Sequence, residues 1–161
     1  MKEEPANDFK AWEAADGTVI SSRWLKTLSV DKVRTFCKSW NEFMPKQVDE
    51  LTITLLEELE GHKICHHHMK TPFVMSNRSY VATYFLEETS EDEFWFAFST
   101  TNNEELHVKY ADRIGKDQIA IGTVVLHCKK DAENGCRVMM NLNADPQGSV
   151  PQMMKNKLKA R

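Results

Sequence analysis

The stretch 118–143, QIAIGTVVLHCKKDAENGCRVMMNLN, contains the clearest structural pattern in the chain. The pattern along Gln118–Lys129 and again along Cys136–Asn143 is mostly of period two, which is typical of β-strands. The polar residues Asp131–Gly135 between them are typical of a connecting loop. The stretch therefore predicts an antiparallel hairpin.

The same alternation extends upstream and predicts a long antiparallel meander. The predicted strands, in chain order, are Phe9–Trp12, Thr18–Leu28, Leu51–Leu59, His62–Lys70, Ser79–Glu88 and Phe94–Thr100. In the third of these, Leu51, Ile53, Leu55 and Leu59 are expected to form a dry face. Thr71–Asn77 is expected to be a loop. Residues 101–116 give a weak pattern, which we interpret as a short strand at Leu106–Tyr110.

Two helices complete the predicted set of elements. Ser29 is expected to cap a helix that begins at Val30, because the next apolar residues follow at helical spacing until the pattern fades by Pro45. Ser149 and Gln152 form a capping-box pattern at the start of a second helix, Val150–Leu158. The order of elements predicts an α+β fold in which a curved antiparallel sheet wraps around the C-terminal helix, so that both bury their apolar faces.

Size and composition narrow the classes of function. The 161 residues are expected to form a single domain, 1–161, with residues 1–8 frayed. The 21 basic and 24 acidic residues give a net charge of −3, which is not typical of a nucleic-acid-binding protein. No apolar run is long enough to span a membrane. The four cysteines are scattered, so we expect buried, reduced thiols and a cytoplasmic location. We also expect a monomer.

Candidate catalytic and metal-binding groups are few. His66 and His68 would share a face of a strand and could bind zinc if His127 and Cys128 converged on them, but no motif spacing supports this. We therefore interpret His66, His67 and His68 as a solvent-facing imidazole cluster and expect no metal. The sequence has no nucleophile elbow and no glycine-rich phosphate loop, so we expect no catalytic residues, no cofactor and no enzymatic activity.

Two motifs resemble those of the StAR-related lipid transfer (START) domains. TPFVMSNRSYV at Thr71–Val81 is similar to the family's segment in which an Arg-Asp pair opens a strand, with Ser79 in place of the Asp. NADPQGSVPQM at Asn143–Met153 is similar to the family's entry into its C-terminal helix, with Gln147 in place of a Gly. The likeness extends from Thr18 to the C-terminus, and the family's usual N-terminal helix has no counterpart here.

This resemblance implies a helix-grip fold, as in the Bet v 1-like superfamily, whose sheet and last helix enclose an apolar cavity for one lipid. Physical arguments lead to the same expectation. A curved sheet of eight strands has more inward-facing surface than two helices can fill, which leaves a cavity. Methionine side chains are flexible and can adapt to an irregular apolar ligand. The residues expected to line the cavity are Ile53, Leu55, Cys65, Arg78, Tyr84, Phe96, Phe98, Thr123, Val138, Met140, Met153, Met154 and Leu158.

Single residues bear on the choice of ligand. Arg78 is expected to pin its loop by hydrogen bonds rather than to touch the ligand. In sterol-binding members an acidic residue and an Arg face the cavity. By ungapped counting, Cys65 and Tyr84 occupy those two places, so only the Tyr84 hydroxyl and the nearby threonines remain to orient a polar head. A sterol, a phospholipid and a fatty acyl ligand all stay open.

Function is expected to be the binding of one lipid and its transfer between membranes. The C-terminal helix is the expected gate, and its four cations, Lys155, Lys157, Lys159 and Arg161, are expected to touch an anionic membrane transiently. Two other classes of helix-grip protein remain as alternatives. One is an enzyme acting on a hydrophobic small molecule, and the other is a chaperone-type interaction module without a ligand.

Overall fold

The computed structural model describes residues 10–15, 18–71, 75–100, 104–132, 135–145 and 147, and the predicted helix Val150–Leu158 lies outside these residues. The described strands form one eight-stranded antiparallel sheet in the order β1-β2-β8-β7-β6-β5-β4-β3. Their bounds are β1 Lys10–Glu13, β2 Val19–Leu25, β3 Leu51–Leu59, β4 His62–Met69, β5 Arg78–Ser90, β6 Glu93–Ser99, β7 Ile121–Ala132 and β8 Gly135–Asp145. The prediction of an α+β fold built on a curved antiparallel sheet is confirmed.

Pairing along the meander is sequential, and the N-terminal hairpin then joins the sheet beside its last strand. β2 pairs with β8 in a register that places Ser21 opposite Met140. The register shifts in β3, β5 and β7, each time near a hairpin turn. Such bulges bend a strand and increase its twist, which gives the sheet its curvature.

One helical segment crosses a face of the sheet, as the sequence predicts. It comprises α1 (Val30–Lys38), α2 (Trp40–Phe43) and a 3-10 turn. The Ser29 hydroxyl accepts a hydrogen bond from the Lys32 amide at 3.4 Å, which confirms the predicted cap. None of the described helices is long and apolar enough to cross a bilayer.

The main hydrophobic core lies between α1 and one face of the sheet, which we call the inner face. The fully buried side chains there include Phe94, Phe96 and Leu126 from the sheet and Val33 from α1. Four cysteines, Cys37, Cys65, Cys128 and Cys136, are buried in this core and unpaired. Burial raises the pKa of each thiol, to about 12 for Cys37, so they remain protonated apolar fillers as predicted.

A smaller core lies on the opposite, outer face, where Ile64 and Val81 pack against Ile114. The covering elements are α3 (Glu104–Lys109) and α4 (Ala111–Ile114), so the predicted strand at Leu106–Tyr110 is wrong. Leu106 and Tyr110 are four residues apart, and this spacing puts both on the helix face that packs on the outer core.

The predicted dry face of β3 is correct only for its first half. Leu51 is buried and Ile53 is half-buried, but Leu55 and Leu59 are 41% and 47% exposed. β3 is the edge strand, and the bulge after Leu55 reverses the alternation, so that Leu59 pairs with His62 of the outer face.

One titratable side chain is packed into the inner face. His67 of β4 is only 2% exposed, so the predicted solvent-facing imidazole cluster is wrong for this residue. Burial, helped by the neighbouring His66, lowers the pKa of His67 to about 3. The imidazole is therefore neutral at physiological pH, and the chain can keep it buried without a counter-charge.

The inner core predicts a large difference between two phenylalanines of adjacent strands. Phe94→Ala removes a side chain that is 0% exposed and should lower the free energy of unfolding by about 3–5 kcal/mol. Phe85→Ala, at a position 49% exposed, should cost about 1 kcal/mol or less. Urea unfolding followed by tryptophan fluorescence measures both values. Equal losses would contradict the assignment of the two faces.

Stability should also depend on pH through His67. The unfolded chain takes up a proton near pH 6.5 while the folded chain resists it, so stability is present above that pH and falls as the solution is acidified. Between pH 7.5 and 5.5 this residue alone should cost about 1 kcal/mol.

His67→Phe should remove that part of the pH dependence. His66 and His107 also have lowered pKa values and remain in both proteins, so the difference between the two urea curves isolates His67. Glu57, Glu88 and Glu93, whose pKa values are lowered by ion pairs, act at more acidic pH. An unchanged slope in the variant would contradict burial of a neutral imidazole.

Candidate functional site

The register brings most of the predicted cavity residues onto one face of the sheet. Residues that are direct cross-strand partners share a face of the sheet. One row of partners, Ile53–His67–Tyr80, connects β3 to β5. A second row on the same face, Tyr84–Phe98–Val124, connects β5 to β7. The predicted residues on this inner face are Ile53, Leu55, Cys65, Arg78, Tyr84, Phe96, Phe98, Val138 and Met140.

The remaining predicted residues are not brought together with them. Thr123 pairs with Ser99 and Asn143 on the outer face, where its hydroxyl lies 2.9 Å from that of Ser99. Successive residues of a strand point to opposite faces, so Thr123 cannot share the inner face with Val124. The prediction that Thr123 lines the same cavity is therefore wrong. Met153, Met154 and Leu158 lie outside the described residues.

A pocket of about 440 Å³ opens between the α1–α2 segment and the inner face. Of the predicted residues, Tyr84 and Phe96 line it, together with Leu86 of β5. Trp40 forms the opposite wall, with ring centroids 5.6 Å from Phe96 and 6.0 Å from Phe98. A cavity of this size and lining suits a small apolar ligand.

Charged side chains around this pocket are already paired with one another. Lys38 donates a hydrogen bond to a Glu88 carboxylate oxygen at 2.7 Å. This hydrogen bond lowers the pKa of Glu88. Lys63 lies 3.3 Å from Glu58 and also donates to the Lys38 carbonyl. The pocket therefore has an apolar interior and a polar, charge-balanced mouth.

Beside the pocket the inner face contains a buried polar pair that sequence analysis missed. His67 Nε2 and the Tyr84 hydroxyl share a hydrogen bond, and both side chains are at most 5% exposed. The imidazole stacks on Tyr80, with ring centroids 4.7 Å apart, and on Phe98 at 5.9 Å. Burial raises the pKa of the Tyr84 hydroxyl, so the pair is uncharged.

A signal for His67 was present in the sequence. If His66 and His68 share one face of a strand, His67 must share the other with Cys65, which was already expected inside. Residue type alone groups the three consecutive histidines into one cluster, whereas the alternation of faces along a strand separates His67 from the other two. Treating each histidine by its own face would have identified the buried one.

The two flanking histidines belong to the outer face and have partners of their own. His66 Nε2 lies 2.7 Å from the Ser79 hydroxyl, and His68 Nε2 lies 3.2 Å from an Asp117 carboxylate oxygen. Across the part of the chain that the structure describes, no three His, Cys, Asp or Glu side chains converge in the manner of a metal site. These imidazoles tie β4 to its neighbours.

Arg78 connects the two motifs that resemble the START family. It is buried, and its guanidinium donates hydrogen bonds to the carbonyl of Ser76 and, at 2.9 Å, to that of Gln147. The expected role of pinning a loop is therefore the one that the hydrogen bonds support. The same contact joins the start of β5 to the chain just after β8, at one end of the inner face.

Sequence comparisons and structural comparisons give different results for this chain. No protein-family model and no curated protein sequence matches it. Human STARD10 superposes with a TM-score of 0.70 and 12% identity, over 97% of this chain and 67% of that one.

Two further structures agree with this match. The lipid transfer and protein localization domain of human StarD13 gives a TM-score of 0.59 and 9% identity, over 89% of this chain and 78% of that one. A STAR-related lipid transfer protein from Xanthomonas axonopodis gives a TM-score of 0.57 and 17% identity, over 92% of this chain and 88% of that one. The resemblance found in the two motifs is thus confirmed at the level of the fold: the chain has the helix-grip fold of the START domains.

Proposed function

We propose that this chain binds one hydrophobic lipid against the inner face of its sheet and carries it between membranes without changing it chemically. The observation that supports this most directly is the apolar pocket between α1–α2 and the inner face. Two structures with the same fold are described as lipid transfer proteins, human StarD13 and human StAR-related lipid transfer protein 5.

The composition of the inner face supports binding rather than catalysis. A general acid or base needs a pKa near the working pH, and a nucleophilic thiol needs a lowered one. The described inner face has the opposite: His67 has a pKa of about 3, and the pKa values of Tyr84 and the four thiols are raised. These groups are held neutral and inert, which favours a carrier of an unreacted ligand.

The proposed binding surface comprises the predicted residues that share the inner face, with Tyr84 and Phe96 at the pocket. We further propose that the chain acts as a single-domain monomer in the cytoplasm. Four buried, unpaired cysteines are typical of proteins from a reducing compartment.

A protein-interaction module is the second candidate, and the outer face supplies the observation that favours it. Trp12, Phe85, Trp95 and Met139 are 41–49% exposed. Exposed apolar residues grouped on one face are typical of interaction sites. The two candidates differ in what travels with the purified protein, a lipid or a partner chain.

Native mass spectrometry of the protein isolated from a cell extract separates these candidates. Lipid transfer predicts one lipid adduct for each chain, and the same lipid class should be taken up from vesicles by delipidated protein. An apo mass without uptake from vesicles would contradict the proposal, and a stoichiometric partner protein in that case would support the second candidate.

Filling the pocket should block uptake. Leu86→Trp places a large side chain in the pocket and should lower lipid affinity by about tenfold or more. Val108→Trp is the matched control, because Val108 is 78% exposed on α3 at the other face and should leave affinity unchanged. Uptake of a fluorescent lipid from vesicles measures both, and equal affinities would place the lipid elsewhere.

Transfer also requires contact with a membrane, for which we propose the basic segment from Lys155 to Arg161. These residues lie outside the described part of the chain, so the proposal is supported by their charge alone. Each cation near an anionic surface contributes about 1 kcal/mol, so Lys155→Glu with Lys159→Glu should slow transfer to anionic vesicles by about tenfold. Transfer to neutral vesicles should change little, and equal slowing on both would contradict membrane docking by charge.

A further inference from the structure

One nitrogen on the inner face lacks a hydrogen-bond partner. His67 Nε2 is bonded to the Tyr84 hydroxyl, but Nδ1 of the same ring is buried and has no partner among the residues that the structure describes. The ring is 2% exposed and held by stacking on Tyr80 and Phe98. The unsatisfied atom is therefore fixed in place on the inner face of the sheet.

Buried polar atoms in proteins nearly always have a partner, because an unsatisfied one loses its hydration without compensation. A phenylalanine at this position would keep the stacking and avoid that cost. A histidine whose second nitrogen is unsatisfied is explained if the ligand supplies the partner. Tyr84, which accepts or donates the hydrogen bond at the other nitrogen of this ring, lines the pocket between α1–α2 and the sheet.

The charges around the pair indicate which chemical group fits. Both members are neutral, since burial opposes protonation of His67 and ionisation of Tyr84. Two cations on the inner face are already engaged, Lys63 with Glu58 and Arg78 with two backbone carbonyls. A phosphate or a carboxylate placed against His67 and Tyr84 would be desolvated with no opposite charge on either of the two groups that it contacts.

We propose that His67 and Tyr84 together bind the uncharged oxygen of a lipid, a hydroxyl or an ester carbonyl, through His67 Nδ1. This proposal rests on the proposed function, because it names the class of lipid that the same site accepts. His67 determines specificity, and Tyr84 positions its ring.

The hydrogen bond between the two residues lets the site serve both kinds of oxygen. For a carbonyl, Nδ1–H donates to the ligand while Nε2 accepts from the Tyr84 hydroxyl. For a hydroxyl that donates to Nδ1, the ring takes the other tautomer, and Nε2–H donates to the Tyr84 oxygen. A charged headgroup gains nothing from either arrangement.

Two sets of probes test the proposal, a pair that differs in one oxygen and a set that differs in charge. The delipidated full chain is offered vesicles containing cholesterol or the hydrocarbon cholestene, and separately dioleoylglycerol, oleate or phosphatidylserine. We expect binding of cholesterol, dioleoylglycerol or both, with a preference of about tenfold for cholesterol over cholestene or for dioleoylglycerol over the two charged lipids. Comparison of the sterol probes with the acyl-lipid probes shows whether the bound oxygen is a sterol hydroxyl or belongs to an acylglycerol.

The variant His67→Phe should lose that preference and keep its affinity for the hydrocarbon. Tyr80→Phe is the matched control, since it removes a hydroxyl outside the pair from a ring stacked on the same imidazole, and the preference should remain. An unchanged preference in His67→Phe, or a wild-type preference for oleate or phosphatidylserine, overturns the inference while lipid binding stands. A wild-type chain that binds none of the probes but carries another lipid in native mass spectrometry also overturns the inference alone, whereas a chain that binds no probe and carries no lipid overturns the proposed function.

A measurement on the wild-type chain keeps the test valid if His67→Phe does not fold. The ¹⁵N resonance of His67 Nδ1 should shift when delipidated protein is loaded with the preferred probe, while those of His66 and His68, on the other face, stay in place. A His67 resonance that is the same in empty and loaded protein overturns the inference.

Discussion

The strict alternation of side chains in the antiparallel ladder is the constraint on which the rest of this structure depends. Five consecutive strands, β4 to β8, pair without a register shift along their central segments. Once Phe94 and Phe96 are buried under α1, every other residue of the neighbouring strands must follow them inside. The same constraint sends Cys65, His67 and Tyr84 to the inner face, so the composition of the proposed binding wall is a consequence of the register.

This constraint explains how much of the fold and site could be predicted. The strands β7 and β8 were located from sequence, and with them the face that Val138 and Met140 share. The errors arose where a second effect overrode the period of two. A bulge reversed β3 after Leu55, and i, i+4 packing on Ile64 and Val81 made the weak segment at Leu106 helical.

The errors within the site have a different origin. The prediction for Thr123 depended on its hydroxyl group and not on its position in the strand. Thr123 is next to Val124, which is on the inner face, so its side chain is on the outer face. His67 was grouped with its neighbours by residue type, although the strand separates it from them. Residue type predicts which chemistry is present in a chain, but only the register decides which groups share a wall, and distant pairing partners determine the register.

A sheet that buries neutral polar groups beside an apolar pocket balances two requirements. An entirely apolar wall would be more stable when empty, since it leaves no nitrogen unsatisfied, but it would treat every hydrocarbon alike. A charged pair would bind a headgroup strongly, at a large desolvation cost whenever the ligand left. The His67–Tyr84 pair lies between these extremes, because its members already satisfy one hydrogen bond each and remain uncharged. A carrier must release its ligand as readily as it takes it up, and in the role proposed for this chain a single unsatisfied neutral atom would provide selectivity with a small energetic difference between the loaded and empty states.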